Sequence, residues 1–534
     1  MGAKFEVPVV VVGAGPAGLM TSFLLSRYGI GSLLVERHQE VSLLPRALGI
    51  NVRTMEIFRS LGLDAEVEAI GVDVRDRPFL VEIDTLRGPV RETVPRGGAS
   101  DSGGPGSPTP AHFVFCAQNR LEPLLLDKLA ASGLCEVRRG TELTELSQDA
   151  SGVTVRLHER STGAERSVRA AYVVGADGAY STVRAQLGIE MRGHDHLSRE
   201  LNILFDAELM GALGDIRAIL YQVRHPWLTT PCLFRNIDGG LRWSLITPWF
   251  ENPSPERCGE LIRLCADDPG LEIEILAAGE WERATLLADH FRQGRVFLAG
   301  DAVHRVTPAG AFGMNTSIQT AHNLAWKLAA VLLGWAGPGL LDSYEAERRP
   351  WTKQTVDLSY RLNGQHRRAA SHTFGHILGS AYEAGAFVPD GTPAPSIGDP
   401  IAEYAPSARP GRRAPHVWLT REGGSVSTID LFDGRFVLLS PSEMWRTAWC
   451  EVAARLAVPF RAEVIADPGW AQIYGLGKQG AVLVRPDGHV AWRSAEISAD
   501  PAAALYRAMA SVLDLSGQAL AAPGRIKFKG RDKP

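Results

Sequence analysis

Three short stretches, far apart in the chain, pair glycines with an acid. They are Gly13-Ala14-Gly15-Pro16-Ala17-Gly18 with Glu36 downstream, Gly175-Ala176-Asp177-Gly178, and Gly300-Asp301-Ala302-Val303-His304. The first can be read from spacing alone. The valine-rich run over 7–12 predicts a strand buried on both faces. Gly13, Gly15 and Gly18 follow at G-x-G-x-x-G spacing. Residues 16–28, with Pro16 and Ala17 in the first turn, read as a helix whose N-terminal N–H groups would face anionic phosphates. A second strand ends at Glu36, 23 residues after Gly13, near the roughly 20-residue offset of a ribose ligand. A carboxylate there accepts hydrogen bonds from ribose hydroxyls and repels a 2′-phosphate, so the site suits FAD or NAD and disfavours NADP. Gly475-Leu476-Gly477-Lys478-Gln479-Gly480 matches the same pattern but precedes a strand pattern at 481–484, and reads as a loop.

The other two stretches each close an apolar run. Asp177 ends the run Tyr172-Val173-Val174-Gly175, and a helix pattern opens near Ser181 with Arg184 bracing the loop. Asp177 reads equally as a helix cap and as a cofactor contact. Asp301 ends the run over 294–299, and Pro308-Ala309-Gly310 lead to Gly313-Met314-Asn315, where a long helix is expected to open at Asn315. The positive end of that helix suits developing negative charge on a reduced flavin.

Taken in this order, the motifs resemble those of the group A flavoprotein monooxygenases, which include para-hydroxybenzoate hydroxylase and phenol hydroxylase. The chain is most similar to the aromatic hydroxylases of bacterial polyketide and antibiotic pathways, over essentially its whole length. The resemblance implies an α/β protein with a Rossmann-like FAD-binding domain, an antiparallel β-sheet substrate domain and a C-terminal thioredoxin-like domain lacking redox cysteines. It implies FAD as cofactor, NAD(P)H as transient co-substrate without a domain of its own, and O₂. The implied reaction is hydroxylation of a phenolic or polycyclic aromatic natural-product intermediate through a flavin C4a-hydroperoxide. Glu36 and Arg37 would lie at the adenosine ribose, Arg46 near the pyrophosphate and the mobile flavin, and Gln118 on the flavin side. Asp177 would support FAD and the nicotinamide approach. Gly300 and Asp301 would hold the ribityl chain, and Pro308 and the backbone of Gly313, Met314 and Asn315 the isoalloxazine edge. Thr307, Ala311 and Phe312 depart from the commoner family pattern, which leaves the pocket's shape open.

No catalytic base is legible. His304 reads as packing beside Asp301, and His112 and His225 read as structural. Tyr221, Trp227, Trp243, Thr307 and Phe312 are the candidate pocket residues, with Trp249 nearby, although a β-sheet core would use the same aromatic types. No metal is expected. Alternatives are an epoxidising or Baeyer–Villiger flavoenzyme and, in another class, a non-catalytic flavin-binding assembly protein. Halogenation is disfavoured because no W-x-W-x-I-P motif occurs.

The elements that must position these groups divide the 534 residues into several units. Residues 1–80, 111–185 and 286–385 read as the FAD-binding domain, 81–110 as an exposed loop and 186–285 as the substrate sheet. Residues 386–415 read as a proline-rich linker and 416–520 as the thioredoxin-like domain. Its one cysteine, Cys450, falls in a helix pattern. The net charge of −4 offers no nucleic-acid surface, and no apolar run is long enough for a membrane span. Six scattered cysteines without a C-x-x-C pair point to a reducing, cytoplasmic setting. The partner expected is a small aromatic substrate, with no nucleic acid and no membrane, and self-association into a homo-oligomer is left open.

Overall fold

A computed structural model describes residues 5–95, 106–363, 373–422, 424–456, 458–467 and 469–515. Its centre is an eight-stranded sheet whose middle strand is Val7–Val12. This strand pairs in parallel with Glu165–Gly175 on one side and Ser32–Glu36 on the other. Val296–Leu298 and Cys135–Arg139 extend the sheet in parallel beyond them. Val9, Val10 and Val11 are fully buried, because helices cover the faces: Pro16–Arg27 packs against both Gln118–Ser132 and the long Phe312–Leu332. All three glycine–acid stretches follow strands of this sheet at its carboxyl edge, where open α/β sheets bind ligands.

A second eight-stranded sheet is mostly antiparallel and runs His304–Arg305, Glu274–Ala288, Met191–Asp206, Arg242–Pro248, Cys232–Asn236, Leu220–Val223, Leu80–Ile83, Val90–Val94. Three of these strands lie outside the 186–285 range read from the sequence. In particular, the expected exposed loop over 81–110 contributes the hairpin Leu80–Ile83 and Val90–Val94, joined in parallel to Leu220–Val223. Leu80, Val81 and Ile83 are buried; Gly88 and Pro89, read as part of the loop, lie in the turn between these two strands. Residues 96–105 of the expected loop lie outside the described residues.

The C-terminal unit has a four-stranded sheet, ordered Phe460–Val464, Phe436–Ser440, Ala481–Val484, Val490–Ser494, with the helices Glu443–Leu456 and Pro501–Val512 packed together. Cys450 is exposed on the first of these helices. The stretch 386–415, expected as a linker, is docked rather than free. Val388 N–H donates to Ala491 O, Gly411 N–H to Val490 O, and Val490 N–H to Arg412 O. Arg413 is fully buried and donates twice to the Glu56 carboxylate of the FAD-binding unit.

A second buried charge cluster joins the same two units. Glu347, on the helix Ser343–Asn363, accepts from Lys327, Asn323, Arg485 and the Ala386 N–H. Arg485 also pairs with Asp487. Such pairs cost desolvation, and removing one partner strands the others. Among the described residues no helix is long and apolar enough to cross a membrane.

Glu347→Ala should therefore lower unfolding free energy by about 3–5 kcal/mol in a denaturant titration. Burial alone would raise the Glu347 carboxyl, but Arg485 and Lys327 outweigh it and hold the group down, at about 2. A depressed carboxylate stabilises the fold above its unfolded value near 4.5 and loses that contribution as pH falls towards 2. The acid arm of the stability–pH curve should flatten across that window in the Ala variant.

Candidate active site

The three glycine–acid stretches touch one another. Gly13 has φ +101°, and a Cβ there would lie 2.3 Å from Ala176 O. A Cβ on Gly18 would lie 1.9 Å from Gly13 O, which is how the helix Pro16–Arg27 comes so close to its strand. Ala176 N–H donates to Val12 O and Ala299 N–H to Gly175 O, at 2.7 and 2.9 Å. A Cβ on Gly300 would lie 2.8 Å from the Ala17 Cβ. Arg184 closes the group by donating to Ala302 O and Ala179 O.

Gly15 differs from its neighbours. No atom lies within 4 Å of where its Cβ would be, and its φ of −78° is open to any residue. Nothing in the fold itself requires glycine there. Glu36 accepts from Ala14 N–H at 2.8 Å and from His38 N–H at 2.9 Å, beside that open space. The helix Pro16–Arg27 has no side-chain cap and no acid in its first turn, and the same holds for Phe312–Leu332. Two positive helix ends and a space over Gly15 fit a dinucleotide's pyrophosphate, and the Glu36 carboxylate fits its ribose.

The long helix opens at Phe312, three residues before the expected Asn315, because Ala311 takes up a left-handed turn at φ +54°. The Asn315 side chain is not free for a ligand. It donates to Gly49 O and Ala311 O and accepts from Asn51 N–H, so it ties the helix start to Gly49 and to the cap of helix Val52–Leu61. The Asp177 carboxylate accepts from Ser181 Oγ and Val183 N–H, and burial pushes it up from its ordinary value. Asp301 is exposed. Gln118 donates to Glu122 at 2.7 Å, while its N–H donates to Ala47 O beside the exposed Arg46. Arg37 is exposed and reaches His38. Gly300 and Met314 are buried, and Pro308 is exposed ahead of the turn at Gly310.

His304 is fully buried, beside the Gly313 backbone. Burial pulls it below its ordinary value, against the nearby Asp301. His112 lies 3.5 Å from Glu68, and the half-buried His225 meets the Trp227 ring edge-on.

The pocket residues expected from the sequence are not brought together. Tyr221 and Trp243 pack on each other at 5.8 Å inside the core on the far side of the second sheet. The Tyr221 hydroxyl is held by Ala218 N–H and Ile216 O. Trp227 is 81 % exposed, and Trp249 carries the Arg199 guanidinium over its ring. Thr307 bonds to Ser359 on the helix Ser343–Asn363. Phe312 is buried against Leu358, Leu362 and the edge of His376. Tyr221 and Trp243 thus serve the packing of a β-sheet, and Thr307 and Phe312 that of a helix interface.

Between the two large sheets, a buried apolar cluster joins Leu48 and Phe115 from the FAD-binding unit to Leu204, Ile219 and Ile237 from the second sheet, with Phe113 partly buried beside them. Beside it lies a polar group that sequence reasoning missed. Arg235 Nη2 donates to Ser244 Oγ at 2.6 Å and to Asn202 Oδ1 at 3.4 Å, and Asn202 Nδ2 donates to Pro45 O. The one signal available was an arginine inside the otherwise apolar run Cys232-Leu233-Phe234.

Residues 6–359 match the FAD binding domain family, and 407–515 match the aromatic-ring hydroxylase C-terminal family. The chain belongs to this family of flavoprotein hydroxylases. It is 38 % identical to aklavinone 12-hydroxylase RdmE of Streptomyces purpurascens, over 95 % of this chain and 99 % of that one. It is 37 % identical to tetracenomycin A2 monooxygenase-dioxygenase of Streptomyces glaucescens, over 95 % and 97 %. The solved structure of the flavin-dependent monooxygenase PieE with FAD and substrate superposes with a TM-score of 0.87 at 34 % identity, covering 95 % and 99 %. The protein is an FAD-dependent aromatic monooxygenase that uses NAD(P)H and O₂.

Gly15→Ala separates cofactor contact from packing. It should leave the melting temperature within about 2 °C of the parent, since it meets no protein atom, yet strip most FAD from the purified protein by absorbance. Gly18→Ala, which meets Gly13 O, should lower the melting temperature as well.

Proposed function

We propose that this chain hydroxylates a polycyclic phenolic intermediate of a natural-product pathway. The observation that carries the reading is the meeting of the three glycine–acid stretches at one sheet edge, in a unit that shares an apolar cluster with a second sheet. The substrates named for its relatives, aklavinone and tetracenomycin A2, support a fused-ring substrate.

In this reading the backbone N–H groups of Gly15, Ala17 and Gly18 hold the cofactor pyrophosphate, Glu36 with Arg37 the adenosine ribose, and Asp301 the ribityl chain. Arg46 and Gln118 flank the flavin, and Pro308 with the backbone of Gly313, Met314 and Asn315 borders its pyrimidine edge. Bound FAD supplies the electron-accepting and oxygen-activating chemistry. The chain's own work is to orient the ring and keep water away. Leu48, Phe115 and Leu204 supply a dry wall, in which charge–dipole contacts act more strongly than in water. The uncapped end of Phe312–Leu332 stabilises negative charge on the pyrimidine edge without any side chain having to move.

The purified protein with FAD should consume NAD(P)H slowly alone and at least tenfold faster with a polycyclic phenol. Mass spectrometry should show one oxygen gained by the phenol. Flavin binding without stimulation by any aromatic compound would favour a binding protein instead. Asp301→Ala should lower FAD retention about tenfold or more by ultrafiltration; unchanged retention removes Asp301 from the site.

A further inference from the structure

Arg235 sits on the strand Cys232–Asn236, one row across from Ser244, which in turn faces Leu204. Leu204 belongs to the apolar surface that faces the FAD-binding unit, while the alternate residues Phe234 and Trp243 fill the core on the opposite face. Arg235 therefore stands on the face of the sheet that packs towards the FAD-binding unit. The bond from Asn202 to Pro45 O ties its network directly to the segment carrying Arg46 and Leu48.

Its charge has no direct ion-pair partner among the described residues. The side chain is 7 % exposed, and Nε is buried without a hydrogen-bond partner among the described residues. No carboxylate among the described residues forms an ion pair with it. Glu200, the acid that acts on it from a distance, is paired with Arg283. Burial pulls the guanidinium down to about 10, outweighing the opposing pull of the Glu200 charge. Buried charges are held by close counter-charges, and the acid nearest in effect, Glu200, is engaged by Arg283.

We infer that Arg235 binds the substrate, its unfilled donors holding one ionised phenol or enol oxygen of the aromatic ring system. The inference rests on the hydroxylase reading above. A carboxylate fits less well. It takes two parallel N–H donors, and both two-donor edges of a guanidinium include Nη2, which Ser244 and Asn202 already engage. The remaining donors suit a single oxygen. On binding, the phenol O–H bond breaks, the proton passes to solvent water, and the oxygen lone pair accepts from Arg235. The ring becomes more electron-rich, which is what attack on an electrophilic oxygen requires. A fixed cation in a dry site favours the ionised phenol, so no side chain need act as the base that the sequence does not supply.

The test uses the FAD-loaded enzyme and 1,8-dihydroxyanthraquinone, whose ionised form absorbs at longer wavelength than its neutral form. Bound to the parent enzyme, the probe should ionise at least one pH unit lower than free in buffer. Arg235→Gln should abolish that shift and raise KM for the phenol about tenfold near neutral pH, with FAD content and melting temperature unchanged. Arg235→Lys, which keeps the charge, should retain part of the shift and guards against a folding defect in the Gln variant. An unchanged shift in Arg235→Gln, or a neutral probe bound to the parent enzyme, overturns the inference while the hydroxylase reading stands. If neither this probe nor any other polycyclic phenol stimulates NAD(P)H consumption by the parent enzyme, the hydroxylase reading falls and the inference with it.

Discussion

The close approach of Gly13 to the Ala176 carbonyl is the constraint on which the site depends. It brings the turn after the first strand into contact with the turn after Glu165–Gly175, and the bond from Ala299 to Gly175 brings in the third. Three turns from three parallel strands then share one edge, with two uncapped helix ends aimed at it. Backbone dipoles of this kind need no titration and no side-chain rotamer, so the electrostatics of the edge are set once the sheet is formed.

Much of this was legible in the sequence. The dinucleotide edge is local: a buried strand, a tight turn, a helix and an acid at a fixed offset all lie within residues 7–36. The second and third stretches gained meaning from their order. The substrate side was far less legible, because a β-strand alternates its faces and the sequence does not say which face looks at the cofactor. Tyr221 and Trp243 were candidates by residue type, and the pleat puts both on the far side. Arg235 carried no motif, and its partners Asn202 and Ser244 come from two other strands. The Leu80–Ile83 hairpin was hidden for a related reason: its partner, Leu220–Val223, lies some 140 residues away.

Thr307 and Phe312 show how a departure from a family pattern can be absorbed by packing. Both sit beside the presumed flavin contact in sequence, yet both point into the helix Ser343–Asn363 and its surroundings. The turn at Ala311 sends Phe312 inward and leaves the backbone of the next three residues at the helix end.

The C-terminal unit is a separate stretch of sequence but not a separate electrostatic object. Glu56 and Glu347 belong to the FAD-binding unit, whereas Arg413 and Arg485 come from beyond it. Each half, taken alone, would keep only part of its counter-charge: Arg53 beside Glu56, Lys327 beside Glu347, and Asp487 beside Arg485. The boundary that composition draws near residue 386 is therefore a poor place to exchange parts between relatives. A graft there brings foreign residues against resident carboxylates, and it can succeed only when the guest supplies cations at both positions.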